Sequence, residues 1–323
     1  MGDRLKGKVA VVTGSGRGIG RGIALLMASE GAKVVVNDLG AAVTGAGASQ
    51  APAEEVVTEI KKAGGEAVPN FDSVATVEGG ENIIKTAVDK FGRIDILVNN
   101  AGILRDRMIF NMAPEEWDAV LKTHLYGTFN CTRPASIVMR QQRWGRIISM
   151  TSTSGVVGNA GQANYGAAKM GIVGFTFVCA KDLGRYGITC NAVAPSAGTR
   201  MTISPEMEAA AKARQERTAR AAGDVAAAPA PAPQRAATRS GPADPEDVAP
   251  LVCYLATEQA AGVNGRILFA SGGNIRLYSN PEPIRSIYKI GRWTLDELMT
   301  LMPTSITQGL VNPAPPQLEE KKQ

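Results

Sequence analysis

The stretch Lys8–Asp38, KVAVVTGSGRGIGRGIALLMASEGAKVVVND, decides how this chain folds. It opens with a short β-rich apolar run, Lys8–Thr13, and passes through a glycine-rich turn, Gly14–Gly20, into a helical pattern. A second apolar run, Lys33–Val36, then leads to Asp38. Glycines at such a turn let the backbone approach a pyrophosphate, and the helix N-terminus supplies N–H groups and positive potential. The order of strand, glycine turn, helix, strand and acid therefore predicts a dinucleotide-binding βαβ unit.

The acid at the end of this unit predicts which dinucleotide binds. Asp38 can accept hydrogen bonds from a ribose 2′-hydroxyl and would repel a 2′-phosphate, which favours NAD over NADP. A second interpretation stays open, in which Asp38 only caps its own loop.

A second stretch, Ser152–Lys169 with the sequence STSGVVGNAGQANYGAAK, predicts the chemistry. On a helix, Tyr165 and Lys169 share one face because they are four residues apart. An ammonium beside a phenol is expected to lower the tyrosine pKa, which would suit Tyr165 to proton transfer. Ser152 follows the apolar run Arg146–Met150, so it is placed at the carboxyl end of a strand, where open α/β sheets bind ligands. An exposed Tyr/Lys pair is the alternative, and the N-terminal βαβ unit argues against it.

Apolar runs and helical patterns alternate along most of the chain, which predicts an α/β fold with a doubly wound parallel sheet of about seven strands. The predicted strands are Lys8–Thr13, Lys33–Val36, Glu66–Phe71, Ile94–Asn99, Arg146–Met150, Ile188–Ala194 and Arg266–Ala270. The predicted helices include Glu54–Ala63, Val77–Phe91, a long helix from Pro114 through His124 to about Met139, Gln162–Leu183 and Asp244–Ala256.

Composition narrows the class of protein. The 323 residues are 44% hydrophobic and carry a net charge of +5 without a dense basic run, which argues against nucleic acid as a partner. Four scattered cysteines indicate structural thiols, and a single histidine argues against a metal site. The chain shows neither a signal peptide nor a membrane-spanning run, so we expect a cytoplasmic protein without membrane association.

We expect one domain over residues 1–275 with two additions. The first is a lid insertion at about 205–243, whose Ala/Pro-rich half could equally be a passive surface loop. The second is a C-terminal extension over 276–323 that ends in a disordered tail. Arginines and lysines in the extension could meet the phosphates of a substrate, or could be solvated surface.

Together these motifs resemble the short-chain dehydrogenase/reductase family. The resemblance rests on Thr13-Gly14-x-x-x-Gly18-x-Gly20, on Asn99-Asn100-Ala101-Gly102, on Ser152 and on Tyr165-x-x-x-Lys169, in the family's order and spacing. It implies a Rossmann-type fold and a catalytic set of Ser152, Tyr165, Lys169 and His124. It also implies cofactor contacts from Gly14, Ser15, Arg17, Gly18, Ile19, Gly20, Asp38, Asp72, Asn99, Ala101, Gly102, Tyr165, Lys169, Pro195 and Thr199.

The chain departs from the family pattern at two places. His124 stands where the family more often has an asparagine that links the lysine to water; a histidine can donate or accept in such a relay, or can simply pack beside the site. After Pro195 the usual glycine is Ser196, so the threonine expected to touch the nicotinamide is not cleanly aligned, and Thr199 is the candidate.

A finer resemblance points to a subgroup, the dehydrogenase part of peroxisomal multifunctional enzymes of type 2, also known as 17β-hydroxysteroid dehydrogenase type 4. It rests on Asn37–Gly40, Ala101–Arg107, Gly161–Tyr165 and Ala194–Thr202. The subgroup implies NAD-dependent oxidation of (3R)-3-hydroxyacyl-CoA by a homodimer or homotetramer. A 17β-hydroxysteroid dehydrogenase, a 3-oxoacyl-thioester reductase and a non-catalytic NAD-sensing regulator stay open as alternatives.

Overall fold

The computed structural model describes residues 2–197 and 244–313, and its chain divides into two units, Met1–Tyr278 and Ser279–Gln323. The first unit contains one eight-stranded sheet within the described residues, in the order β3-β2-β1-β4-β5-β6-β7-β8. The strands are β1 (Val9–Thr13), β2 (Lys33–Asn37), β3 (Ala67–Asn70), β4 (Ile96–Asn99), β5 (Gly145–Met150), β6 (Ile188–Pro195), β7 (Ile267–Ser271) and β8 (Asn274–Leu277).

Helices follow most of the strands. The first unit holds α1 (Gly18–Ser29), α2 (Ala51–Lys62), α3 (Val77–Phe91), α4 (Pro114–Leu121), α5 (Gly127–Gln142), α6 (Thr153–Val156), α7 (Ala163–Gly184) and α8 (Ala249–Leu255). Helices α4 and α5 are joined by one π-helical turn, Lys122–Tyr126, so the long helix expected from the sequence is continuous but locally widened. The observed α2 begins at Ala51 rather than Glu54, with Pro52 in its first turn, where a missing N–H costs nothing.

The central strands are buried on both faces, which explains their unbroken apolar sequences. Every residue of β1 is buried, and neighbouring residues serve opposite faces. Val12 packs in the layer that includes Ile23 of α1, whereas Val11 packs in the layer that includes Ile83 of α3. Strand order reverses between β1 and β4, so the segments that follow these two strands leave in opposite directions and a cleft forms outside their carboxyl ends.

The parallel sheet predicted from the sequence is confirmed for seven strands, but the expectation that Arg266–Ala270 is the last strand is wrong. The chain turns at Gly272, whose φ is 55°, and returns as β8 antiparallel to β7. Strand β8 has only four residues, and three of them are exposed at the sheet edge. It therefore lacks the buried apolar run by which the other strands were found.

Several other expectations can be placed within the fold. The insertion predicted at 205–243 lies outside the described residues. Cys131, Cys179, Cys190 and Cys253 are all free thiols. In the second unit α9 (Leu295–Leu301) begins with a capping box between Thr294 and Glu297. Over residues 2–197 and 244–313, no helix is both long and apolar enough to span a bilayer.

Candidate active site

The glycine turn after β1 is built from contacts that no larger residue permits. Gly14 and Gly18 have φ values of 63° and 55°, in the left-handed region. A Cβ atom on Gly14 would lie 2.7 Å from the Cα of Ala101, and one on Gly20 would lie 2.3 Å from the Gly14 carbonyl oxygen. The turn is thus a close-packed cradle in front of the N-terminus of α1, a shape that accommodates phosphate groups.

Side chains fix this cradle from below. Ser15 is fully buried and its hydroxyl donates to the Val12 carbonyl at 2.7 Å, so its side chain braces the turn. Asn100 donates from Nδ2 to the carbonyls of Thr13 and Gly14, each at 2.9 Å. Sequence reasoning missed this role of Asn100, although the Asn99-Asn100 pair was the signal.

A cleft of about 700 Å³ opens in front of the cradle. Nine of the predicted cofactor residues line it: Gly14, Arg17, Gly18, Ile19, Gly20, Asp38, Asp72, Ala101 and Gly102. The loop after β2 lines it as well, through Leu39, Ala41, Ala42, Val43 and Gly45, together with Arg105 and Lys122. This loop reaches across the cleft, because the Leu104 amide donates to the Val43 carbonyl at 3.0 Å and Arg105 Nε donates to the Thr44 carbonyl at 3.0 Å.

Asp38 lies at the carboxyl end of β2, on the cleft wall. Its Oδ2 accepts from the Gly16 amide and its Oδ1 from the Gly40 amide, each at 2.7 Å. The loop-capping role that the sequence left open is therefore present. An ionised carboxylate has about four lone-pair sites, so these two bonds leave capacity for ribose hydroxyls.

Other predicted cofactor residues are held by neighbours. Asp72 Oδ2 accepts from Asn70 Nδ2 at 2.7 Å, on the cleft wall. Asn99 is buried and donates to the hydroxyls of Thr132 and Ser149, so its side chain is directed into the interior. Pro195 is the last residue of β6, and Thr199 lies outside the described residues.

Three of the four expected catalytic side chains, Ser152, Tyr165 and Lys169, come together at the carboxyl end of β5. Ser152 caps α6, accepting from the Ser154 amide at 3.1 Å, and hydrogen-bonds to the Tyr165 side chain. Tyr165 and Lys169 lie one turn apart on α7, with Lys169 Nζ 5.4 Å from the centroid of the Tyr165 ring. This arrangement places a hydroxyl, a phenol and an amine within one small volume.

The expected lowering of the Tyr165 pKa is wrong for this site. Burial raises the pKa of Tyr165 to about 12; the Ser152 hydrogen bond works against that shift, while the charge of Asp106 adds to it. Burial also lowers the pKa of Lys169 to about 7. The spacing argument assumed a charged lysine and a solvated phenol, whereas both groups are desolvated and each is pushed toward its neutral form.

Hydrogen bonds to the carboxyl end of β5 hold Lys169 in place. Its Nζ donates to the carbonyl of Met150 at 2.6 Å, and Thr151 donates from its hydroxyl to the Lys169 carbonyl at 2.7 Å. Gly155 lets α6 approach, because a Cβ atom there would lie 2.8 Å from the Lys169 Cβ. The amine is therefore held at a defined position with a single bond to the described protein.

His124 occupies the π-helical turn beneath the site. Its ring meets that of Tyr165 edge-on, with centroids 5.1 Å apart. Its Nε2 lies 3.1 Å from the amide nitrogen and 2.8 Å from the carbonyl oxygen of Ile103, so either neutral tautomer can be held there. Its Nδ1 is buried without a partner in the described residues. Burial, with the charge of Lys169 adding to it, holds the pKa of His124 well below its usual range, so the ring is neutral at pH 7.

Three polar residues, which belong to the resemblance motifs but had no expected role in the site, join the cleft to the catalytic helix. Gln162 donates to Asp106 Oδ2 at 2.7 Å, three residues before Tyr165. Asn164 donates from Nδ2 to the carbonyls of Arg105 and Glu116. These bonds fix the start of α7 against the segment after β4, and thereby fix the height of Tyr165 in the cleft.

A nucleotide-type cleft beside a Ser/Tyr/Lys set defines an oxidoreductase that acts on a CH–OH group. The chain belongs to the short-chain dehydrogenase family, because the family model described as short chain dehydrogenase matches residues 8–208. Members of this family with this fold typically bind a nicotinamide cofactor.

The chain is also similar to individual proteins of this kind. It is 40% identical to a short chain dehydrogenase from Mycobacterium avium whose crystal structure matches with a TM-score of 0.77, covering 94% of this chain and 96% of that one. It is 39% identical to hydroxyacyl-CoA dehydrogenase ChsB1 of Mycobacterium tuberculosis, over 91% of this chain and 87% of that protein. It is 52% identical to peroxisomal multifunctional enzyme type 2 of Drosophila melanogaster, but this match covers 62% of the chain and only 33% of the fly protein.

Proposed function

We propose that this protein oxidises a secondary alcohol with NAD, and that its substrate is a (3R)-3-hydroxyacyl-CoA. The observation that carries the proposal is the convergence of Ser152, Tyr165 and Lys169 at the carboxyl end of β5, next to the glycine cradle. A protein that only bound NAD would have no use for a partly buried phenol hydrogen-bonded to the buried Ser152 hydroxyl.

Each catalytic side chain has one task in this proposal. Ser152 hydrogen-bonds the substrate oxygen and stabilises the charge that develops on it. Tyr165 receives the hydroxyl proton as the substrate O–H bond breaks, while its own phenolic proton passes toward the neutral amine of Lys169. Bound NAD would supply the acceptor for the hydride, which leaves the carbon that carries the hydroxyl group.

Lys169 and His124 then carry the proton of Tyr165 away from the reacting atoms. Because the pKa of Lys169 is about 7, a substantial fraction of this amine is neutral near pH 7 and can take up a proton. Its ammonium form in turn favours the phenolate of Tyr165. His124 supplies the next polar atom along a relay toward water, since its buried Nδ1 has no partner among residues 2–197 and 244–313.

The cradle suits a dinucleotide on its own geometry, because its left-handed glycines Gly14 and Gly18 bring bare backbone to the N-terminus of α1. Its residues would hold the pyrophosphate, and Asp38 would hold the adenine ribose. NAD is the proposed form because a 2′-phosphate would bring negative charge against the Asp38 carboxylate, which already accepts two backbone N–H bonds.

The substrate class is the finer part of the proposal. It is supported by the resemblance of Ala101–Arg107 and Gly161–Tyr165 to the multifunctional-enzyme subgroup and by the likeness to a protein named hydroxyacyl-CoA dehydrogenase. In the structure these two segments contact each other, through the Arg107 amide and the Gly161 carbonyl at 2.8 Å. The subgroup motifs therefore surround the reacting end of the cleft.

The test is NADH formation at 340 nm with (3R)- and (3S)-3-hydroxyacyl-CoA of short and long chain, beside a 17β-hydroxysteroid. Turnover of the 3R thioesters with NAD, and much slower turnover with NADP, is the expected result. Activity on the steroid alone would contradict the substrate class, and NAD binding without turnover of any alcohol would contradict the enzymatic proposal. Asp38→Ala tests the cofactor assignment separately. In this variant the ratio of kcat/KM with NAD to kcat/KM with NADP should fall about tenfold or more.

A further inference from the structure

A cluster of arginines surrounds Tyr186 near the amino ends of β5 and β6, at the opposite end of these strands from the cleft. The guanidinium carbons of Arg140, Arg143 and Arg185 lie 4.8, 5.4 and 4.9 Å from the centroid of the Tyr186 ring. The ring is half-buried and packs against the core layer that contains Leu183 and Ile188. The arginines come from the end of α5 and from the connection before β6, so the fold brings two separate segments to one ring.

These three cations are not neutralised within the described residues. None of them forms an ion pair there, whereas Arg133 on the same helix α5 pairs with Glu81 at 3.2 Å. Their hydrogen bonds to the described protein are few: Arg185 and Arg140 donate to the Tyr186 hydroxyl at 2.8 and 3.5 Å, and Arg143 donates to the Arg185 carbonyl at 3.1 Å. A guanidinium has five N–H donors, so most donors of the cluster have no partner in this part of the chain.

The backbone is strained where it delivers one of these side chains. Arg143 has a φ of 58°, and it is the one non-glycine residue with a positive φ among residues 2–197 and 244–313. A residue other than glycine, asparagine or aspartate rarely adopts this conformation, which costs about 1 kcal/mol or more. Glycine would end α5 without that cost. The arginine is therefore unfavourable for the helix end and calls for an explanation in its side chain.

We infer that Arg140, Arg143 and Arg185 form a binding site for the phosphate group of a small molecule. Guanidinium groups bind phosphate oxygens through parallel, charge-assisted hydrogen bonds. The positive charge of the arginines acts on the Tyr186 hydroxyl, since the hydrogen bond from Arg185 lowers the pKa of this phenol. The three guanidinium groups lie around the single ring of Tyr186, so the positive surface is small. A surface of this size favours a single phosphate group over an extended polyanion.

The site is separate from the catalytic cleft. Arg143 precedes β5 and Arg185 precedes β6, whereas Ser152 follows β5. The six residues of β5 separate the two by roughly 20 Å. A phosphate bound there would contact neither the substrate nor the cofactor of the proposed reaction.

Isothermal titration calorimetry tests the inference, with inorganic phosphate and ribose 5-phosphate as probes at low ionic strength. Arg143→Gly is the decisive variant, because it removes the guanidinium while relieving the backbone strain, so the fold is preserved. Arg133→Gln is the matched control on α5, and Arg17→Gln reports binding in the glycine cradle.

The expected result is one saturable site whose affinity falls roughly tenfold or more in Arg143→Gly and stays unchanged in both controls. Preference for ribose 5-phosphate over inorganic phosphate would identify the ligand as a phosphate ester, and the reverse order would identify it as free phosphate. Unchanged affinity in Arg143→Gly, loss in Arg17→Gln alone, or no saturable binding of either probe would overturn the inference.

Discussion

Strand β5 has a buried cation at each of its ends, and the two differ in how the protein treats them. Arg146, at the beginning of the strand, is 2% exposed, and Lys169, which reaches the last strand residue Met150, is 4% exposed. Arg146 lies at the amino end of β5, whereas Lys169 belongs to α7 and reaches the carboxyl end of β5 through its bond to Met150.

The protein surrounds Arg146 with partners. Its guanidinium donates to the carbonyls of Thr257, Gly145 and Gly187 at 2.8–3.2 Å. It also lies 4.3 Å from the Trp144 ring centroid and 3.7 Å from a carboxylate oxygen of Glu258. Arg146 thus ties β5 to two neighbouring connections.

Lys169 has the opposite surroundings. Its ammonium has three donors, and one bond, to Met150, satisfies it within the described residues. Its pKa of about 7 expresses the cost of burying a charge with so little compensation. Arg146 thus has three hydrogen bonds and a nearby carboxylate, whereas Lys169 keeps two donors without a partner in the described residues and a pKa near neutrality, which suits its proposed role in the chemistry.

The largest effect is expected from Tyr165→Phe, which removes the proposed proton acceptor beside Lys169. Turnover should fall roughly a thousandfold, since general base catalysis is lost. The NAD dissociation constant should stay nearly unchanged, because the cradle is fixed by Ser15 and Asn100. Steady-state rates and calorimetric NAD titration measure the two quantities, and wild-type-like turnover would remove Tyr165 from the mechanism.

Arg146→Met sharpens the comparison at the structural end. The carbonyls that Arg146 bonds would lose their donor in a buried place, so the free energy of unfolding should fall by about 2–3 kcal/mol. Denaturant unfolding at pH 7 gives this value. Arg133→Gln is a suitable control, since its ion pair with Glu81 is exposed and should contribute less than about 1 kcal/mol. Equal losses in the two variants would show that the buried bonds of Arg146 are unimportant.

The pH dependence of the free energy of unfolding should reveal the cost of burying Lys169 in its charged form. The pKa is about 7 in the folded chain and about 10.4 in the unfolded chain, so between these values the unfolded state binds the extra proton. The penalty is fully present below pH 7, and the free energy of unfolding should rise with pH above it, at a slope approaching about 1.4 kcal/mol per pH unit.

Lys169→Met lacks this proton and serves as the reference. The difference in unfolding free energy between wild type and Lys169→Met should therefore shrink from pH 7 to pH 8. Taking the difference cancels the buried cysteines, whose raised pKa values give the opposite slope at higher pH. A difference that is constant across this interval would mean that Lys169 is not desolvated.

A smaller effect is expected at His124. His124→Leu removes the buried Nδ1 and the bonds to Ile103, and should lower turnover about tenfold, whereas His124→Asn keeps a polar group and should stay within a few-fold of wild type. The ring is neutral at pH 7, so neither variant should move the pH profile through loss of a histidine charge. A His124→Leu variant as active as wild type would exclude the relay.

How far the sequence predicts this molecule differs between its parts. The buried strands were found because parallel strands covered on both faces have unbroken apolar runs, as in Val9–Thr13. The short edge strand Asn274–Leu277 was missed because its exposed side chains have no such pattern. Motif spacing brought Ser152, Tyr165 and Lys169 together correctly in space.

The electrostatics of the site could not be predicted in the same way. Spacing places an amine near a phenol, but the direction of the Tyr165 pKa shift depends on how far both groups are desolvated, and that is a property of packing. The partners of Asn99 and Asn100 are likewise set by which way adjacent residues of one segment face. Three hydrogen bonds of Gln162 and Asn164 at the start of α7 join residues about fifty positions apart in sequence.

The most direct test of the difference between the two buried cations is turnover by Lys169→Met and Arg146→Met, measured side by side at equal concentrations of folded protein. With NAD and the best alcohol substrate of the wild type, the account predicts that Lys169→Met loses about a hundredfold or more in kcat, while Arg146→Met stays within a few-fold. Comparable losses in both variants, or full activity in Lys169→Met, would contradict the assignment of one cation to chemistry and the other to structure.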